Sequence, residues 1–249
     1  MNLTEQKPNH GLNSNVLKII AIISMTIDHV AWAIFPDFST NPIAIIMHLI
    51  GRIACPVFCY CIFQGYLHTK NFKKYFLRIL IFAIISHFPY VLNSFNFVDA
   101  YSFIPCFYGI FNQTSVLWGL ACGLLLIRVN DSGLKTYAKV LLSILICVVS
   151  FPADWSCVAP LIIFFMWAYK DDFKKQMLAM SLMMIPYFLV YVFAIDWLYA
   201  ILQFGVVLAI PVLYFYNGQR GKNIKFNKFM KWFFYFYYPL HLLLIYFVI

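Results

Sequence analysis

Charge is what this sequence has least of. Asp, Glu, Lys and Arg together make 11% of 249 residues, and only nine of them are acidic. Apolar residues make 63%, aromatic residues 20%, and mean hydropathy is +0.81. A soluble domain of this length has too little polar surface to hide such a composition, so lipid must solvate most of it. Nucleotide-handling signatures are missing as well. There is no Gly-rich phosphate loop, which argues against an ATP-driven pump, and there is also no Gly-x-Ser-x-Gly hydrolase elbow and no HExxH zinc pair. The seven cysteines are odd in number and lack the even spacing of a disulfide framework. Cys55, Cys59 and Cys61 have no His or carboxylate at ligand spacing beside them; they read as small packing groups, and no metal is expected. Met1 to Asn15 has no signal-peptide pattern, so the first hydrophobic stretch is read as a retained helix. The apolar runs do not alternate, which excludes a membrane β-barrel.

What is present is a series of long apolar stretches. They predict an all-α polytopic membrane protein: a single bundle of about nine transmembrane helices within 17–249, after a cytoplasmic segment 1–16. The expected crossings are 17–35, 43–67, 75–93, 113–129, 136–151, 155–169, 175–194, 197–216 and 231–249. Seventeen of the 18 basic residues fall in alternate connections or the adjoining helix ends: Lys7 and Lys18; Lys70, Lys73, Lys74 and Arg78; Arg128, Lys135 and Lys139; Lys170, Lys174 and Lys175; and five from Arg220 to Lys231. The opposite connections hold none and contain Asp37, Asp99, Asp154 and Asp196. The positive-inside rule then places the N-terminus in the cytoplasm and the C-terminus outside, in the cell membrane. It also accounts for the net charge of +9, so no nucleic-acid partner is expected. Trp32, Trp155 and Trp197 fall near outer ends and read as headgroup anchors. The one long outer connection, Asn93 to Asn112, reads as a lid over the outer mouth or as an ordinary interfacial loop.

Ionisable groups inside such crossings are costly, by about 2.5–3.5 kcal/mol on insertion scales, and they mark candidate sites. At about 1.5 Å per residue, Asp28 and His29, His48 and Arg52, His87 and His241 all fall between the bilayer centre and its outer third. His48 and Arg52 share a helix face at i, i+4. Asp28 and Arg52 are the only deep carboxylate and guanidinium, and their pairing would compensate both charges. A purely structural salt bridge is one reading of that pair. The other is a reactive site in which His29 exchanges a proton beside it. At the inner side, the basic, aromatic turn from Gly65 through His68, Lys70, Lys74 and Tyr75 to Arg78 reads as a phosphate-binding patch or as simple topological charge.

These residues also carry a resemblance. Leu17-Lys18-x-x-Ala21 … Met25-x-x-Asp28-His29 and Gly51-Arg52-x-Ala54-x-Pro56-x-Phe58 resemble TraX-family proteins. So do Gln64-Gly65-Tyr66 … His68-Thr69-Lys70-Asn71, Ile85-Ser86-His87-Phe88-Pro89-Tyr90, Asn112-Gln113-Thr114, Ala153-Asp154-Trp155 and Tyr237-Tyr238-Pro239-Leu240-His241. The family is associated with N-terminal acetylation of conjugative pilin. It looks distantly similar to integral-membrane acyltransferases that carry a His near the end of an early helix and take acyl groups from cytoplasmic acyl-CoA. The resemblance therefore implies an acyltransferase, using acetyl-CoA as donor and an outward-facing amine or hydroxyl, on a peptide or a glycan, as acceptor. His29 would be the base or the acyl carrier, oriented by Asp28, with Arg52 and His48 as oxyanion donors. His87, His241, Gln113 and Asp154 would receive the acceptor. His68, Lys70, Lys74, Tyr75 and Arg78 would hold the donor. Two other classes compete: a proton-coupled transporter, which should show broken helices or repeat symmetry, and a non-catalytic scaffold of a conjugation or secretion apparatus.

Overall fold

The computed structural model describes residues 11–93, 99–107 and 113–248. Among these, every regular element is helical. The order is α1 (Ser14–Ile34), α2 (Pro42–Gly51), α3 (Ala54–His68), α4 (Phe72–Leu92), a 3-10 turn (Ala100–Phe103), α5 (Val116–Asn130), α6 (Thr136–Ser150) and α7 (Val158–Ala168). Then follow α8 (Phe173–Leu182), α9 (Met184–Ala194), α10 (Trp197–Gln203), a 3-10 stretch (Phe204–Leu208), α11 (Ala209–Tyr214) and α12 (Ile224–Val248). Five segments are long and apolar enough to cross a membrane: Ser14–Ile34, Pro42–His68, Phe72–Leu92, Phe173–Ala194 and Trp197–Tyr214. Val116–Asn130, Thr136–Ser150 and Val158–Ala168 are apolar but shorter. The chain is thus a membrane protein whose regular elements, among the described residues, are all helical.

Capping explains several helix starts. Asn13, Asn71, Asp172 and Asp196 each accept a backbone N–H of the first turn that follows. α5 packs against α4, α6 and α7, and α3 against α1 and α7, so α3 and α5 form the centre. The first three turns of α3 bury nearly every side chain, whereas α6 buries only Ser150. α12 closes the bundle against α1 and α4.

Three stretches that read as single crossings are interrupted. The second breaks between Gly51 and Ala54, the seventh at Met183, and the eighth passes through a 3-10 stretch at Phe204–Leu208. Each break includes a residue three or four positions before a proline, at Pro56, Pro186 and Pro211. A proline supplies no N–H to the carbonyl four residues back and its ring crowds that carbonyl, so Arg52, Leu182 and Val207 lose their helical acceptor bond. A proton-coupled transporter is expected to show broken helices; the long apolar runs hide them in the sequence, and the fold contains them.

The connections sort into two ends. At one end Leu12 pairs with Tyr216, Ser14 N–H donates to the Gln219 carbonyl, and Tyr66 donates to Asp131 at 2.6 Å. At the other, Thr114 pairs with Ala153, Tyr199 donates to the Ser39 carbonyl, and Asn93 donates to the Leu242 carbonyl. The expected cytoplasmic segment 1–16 lies outside the described residues as far as residue 10, and the expected lid lies outside them at 94–98 and 108–112. The remainder of that lid, 99–107, is fastened to α4, with Phe88 against Phe103 at 5.0 Å.

Candidate active site and inner cavity

The deep polar groups converge at the break between α2 and α3. Arg52, freed from regular helix there, sends Nη2 to both oxygens of Asp28 on α1, at 3.1 and 3.2 Å. Its Nη1 donates to Gln203 at 3.0 Å and its Nε to the His48 carbonyl at 3.4 Å. His48 Nδ1 donates to Asp28 at 2.9 Å. Gln203 in turn donates to the Tyr199 carbonyl at 3.1 Å. Two glycines let these elements approach. A Cβ on Gly51 would strike the Asp28 carboxyl group, and one on Gly205 would crowd Leu49 and Arg52. The second and eighth stretches therefore meet at Arg52, where each is interrupted.

His48 is fully buried and Arg52 is 7% exposed. Their donors are largely spent on Asp28, Gln203 and the His48 carbonyl; one Nη1 proton of Arg52 remains. Both groups hold Asp28 in place, which leaves little for the oxyanion role expected of them. Trp155 is not a headgroup anchor. It is buried, stacks on Tyr187 at 5.9 Å and lies under the Arg52 guanidinium at 5.5 Å. Trp32 is turned onto His48 at 4.5 Å, while Trp197 is 65% exposed.

Beside this cluster lies a cavity of about 30 Å³, lined by Asp28, His29, Cys55, Phe58, Asp154, Trp155 and Tyr238 among others. His29 Nδ1 lies 2.7 Å from Nε2 of His241 on α12. Asp154 is within electrostatic reach of Arg52, lies beside Tyr90, and has its carbonyl bonded by Tyr187 at 3.2 Å. Asp28, His29, His48, Arg52, Asp154 and His241 thus form one neighbourhood.

His87 and Gln113 stand apart. His87 Nε2 donates to the Ser102 carbonyl at 2.9 Å and its Nδ1 accepts from the Thr114 hydroxyl at 3.0 Å. Both ring nitrogens are committed, Nε2 to the 99–107 segment and Nδ1 to the residue two before α5. Depth along a helix matched His87 to the other histidines, but rotation about the axis turned it elsewhere. Gln113 accepts from Tyr90 at 3.4 Å, one residue removed from Asp154.

At the end that carries the basic turn, expected to be the inner one, lies a cavity of about 550 Å³. His68, Lys70, Tyr75 and Arg78 line it, as the basic turn predicts; Lys74 is exposed and does not. Lys18, Arg220, Lys228 and Lys231 line it too, without having been singled out. A signal for Lys18 exists: it precedes His29 by eleven residues, about three full turns, so both share one face of α1 about 16 Å apart. The same four helices wall both cavities. α1 supplies Lys18 to the inner one and His29 to the outer, α3 Tyr60 and Cys55, α5 Leu120 and Val116, and α12 Phe234 and Tyr238. Among the described residues no group of three His, Cys, Asp or Glu could hold a metal ion.

Comparison with known proteins places this arrangement. A probable fimbrial assembly protein, FimC of serogroup H1, from Dichelobacter nodosus is 27% identical over 236 residues, covering 92% of each chain. An uncharacterized protein of Rickettsia prowazekii (strain Madrid E) is 38% identical over 85 residues, 34% of this chain and 29% of the relative. No solved structure matches significantly. The family described as TraX protein matches residues 13–249, nearly the whole described chain, and the protein belongs to the TraX family.

Proposed function

We propose that this protein is a membrane acyltransferase that moves an acyl group, acetyl by the family resemblance, from cytoplasmic acyl-CoA to an outward-facing acceptor. The observation that carries this reading is the end-to-end placement of two cavities between the same four helices. The inner one is basic and about 550 Å³; the outer one is small and holds His29. Phosphates of the donor would meet Lys18, Lys70, Arg78, Arg220, Lys228 and Lys231, while the flexible pantetheine arm runs beside α1 toward His29. There the acceptor nitrogen or oxygen attacks the thioester carbonyl as His29 takes its proton. The tetrahedral intermediate collapses, the C–S bond breaks, and the departing CoA thiolate receives that proton. Asp154 would receive a cationic amine from the outer side. The family and the fimbrial relative point to assembly of a pilin-like structure as the setting, with an envelope glycan as the other acceptor class.

The test is direct. Purified protein in nanodiscs, given radiolabelled acetyl-CoA and glycinamide as probe acceptor, should release CoA thiol and label the probe. A protein that consumes no acetyl-CoA would be the scaffold or the transporter instead. The transporter reading draws on the two interrupted stretches that meet at Arg52, the kind of element that lines transport sites. It requires proton-dependent solute uptake by proteoliposomes without acyl-CoA.

Two further outcomes are expected. Lys18→Gln and Arg78→Gln should each raise the KM for acetyl-CoA about tenfold and change kcat little, because a charge-assisted bond to phosphate is worth roughly 1.5–3 kcal/mol. A kcat effect with unchanged KM would remove the donor from the inner cavity. For topology, nine crossings with the N-terminus inside place residue 90 outside and residue 217 inside. Reporter fusions after Tyr90 and after Asn217 should therefore give opposite sides, and a shared side would overturn the donor and acceptor assignment.

A further inference from the structure

His29 and His241 meet nitrogen to nitrogen, with His29 Nδ1 2.7 Å from His241 Nε2. The rings are nearly coplanar, at 17°, with centroids 5.0 Å apart. That is the spacing of two imidazoles joined edge to edge through such a contact, and the proton between them lies in both ring planes. The other side of His241 decides which ring owns that proton. His241 Nδ1 lies 3.0 Å from the carbonyl oxygen of Tyr237, and a carbonyl only accepts. Nδ1 of His241 therefore carries a proton, and Nε2 of the neutral ring is a bare lone pair. The opposite tautomer would set the Nδ1 lone pair against the carbonyl lone pairs at the same 3.0 Å. A second proton on the pair would put a net charge into an apolar seam.

We infer that His241 is a positioning residue: it holds His29 as the Nδ1–H tautomer and leaves Nε2 of His29 as its basic atom. An unassisted imidazole in water favours the Nε2–H form, which would present a donor where the reaction needs an acceptor. The arrangement parallels the orienting member of a catalytic triad, with a neutral imidazole where a carboxylate usually stands. The α1–α12 seam is built to keep it so. The Tyr237 ring lies parallel to His241 at 5.3 Å. The Tyr237 hydroxyl donates to Thr26 Oγ1 at 2.8 Å, and Thr26 donates onward to the Ile22 carbonyl at 2.8 Å. That chain sits one turn before His29 and fixes how the two helices face each other.

The use made of Nε2 rests on the acyltransfer reading; the tautomer does not. The test is two-bond ¹H–¹⁵N NMR of full-length, histidine-labelled protein in nanodiscs at about pH 8, where an ordinary imidazole is neutral. The His29 signal is assigned by its loss in His29→Gln. Wild type should show the Nδ1–H pattern and His241→Leu the Nε2–H pattern, while His241→Gln, whose amide oxygen can accept, should restore Nδ1–H. With acetyl-CoA and glycinamide, His241→Leu should lower kcat at least about tenfold with KM for acetyl-CoA unchanged, since a wrong tautomer costs a triad histidine up to about 10⁴. His241→Gln should stay within about threefold of wild type by the same argument. An Nε2–H signal in wild type, or a tautomer that His241→Leu leaves unmoved, overturns the inference whether or not acetyl-CoA is consumed. The expected tautomers without acetyl-CoA consumption would instead overturn the acyltransfer reading and leave the positioning role standing.

Discussion

His29→Ala is expected to reduce acyl transfer by about 10²–10⁴-fold, the range lost with a positioned general base. The protein should still fold and reach the membrane. The imidazole balances no charge, and its loss strands one acceptor, Nε2 of His241, at about 1–3 kcal/mol. Two other histidines serve as controls for the assignment. His87→Ala should leave the chemical step near wild type, because both its nitrogens are bound to Ser102 and Thr114 and none faces the cavity. It should instead free the 99–107 segment, read as faster proteolysis there. His48→Ala should cost mainly stability, since His48 is fully buried and donates to Asp28. The measurement is CoA release by purified variants, normalised to folded protein by size-exclusion chromatography. Near-wild-type turnover by His29→Ala eliminates His29 as the base, and abolition by His87→Ala would move the site to the outer connection.

Much of this site could be read from the sequence because charge is so scarce in it. Where one carboxylate and one guanidinium are deep in apolar stretches, pairing is nearly forced, and Asp28 meets Arg52 in the fold. Helix depth likewise brought His29, His48 and His241 together. It failed at His87 because depth fixes one coordinate and leaves rotation about the axis free. The breaks at Arg52, Met183 and Phe204 had their signal in Pro56, Pro186 and Pro211, which long hydrophobic runs masked. Gln203 had no signal: an amide in an apolar stretch is unremarkable until an arginine from the second stretch reaches it at 3.0 Å. Trp155 was misplaced because an aromatic near a helix end suits a headgroup equally well until Arg52 is seen above it. The inner cavity was half legible. Its basic turn is local in sequence, whereas Lys18, Arg220 and Lys231 join it only through the packing of α1 and α12 around the α3–α4 turn.

Asp28→Asn and Arg52→Gln should each destabilise the folded protein by about 3–5 kcal/mol, while the double variant recovers a substantial part of that loss. The asymmetry follows from burial. The Arg52 side chain is 9% exposed and that of Asp28 16%, so removing one member strands the other in a medium that solvates charge poorly. Asp28→Asn also takes the negative charge from the acceptor shared by His48 Nδ1 and Arg52 Nη2. Arg52→Gln frees Gln203 and the Asp28 carboxylate together. With both changes the site is neutral, and two amides can share a hydrogen bond where two charges were paired. The coupling energy of the double-mutant cycle should be favourable and larger than either single loss, above about 3 kcal/mol, because the double variant is expected to be more stable than either single one. Unfolding in mixed micelles, followed by tryptophan fluorescence, supplies the four free energies. Losses that simply add would mean the contact contributes nothing to stability beyond its separate parts. Activity need not return with folding: the double variant retains His29 and His241 but lacks the charge pair that holds α1 against the break in the second stretch. A double variant that refolds yet transfers no acyl group would separate the pair's role in holding the site from its role in holding the fold.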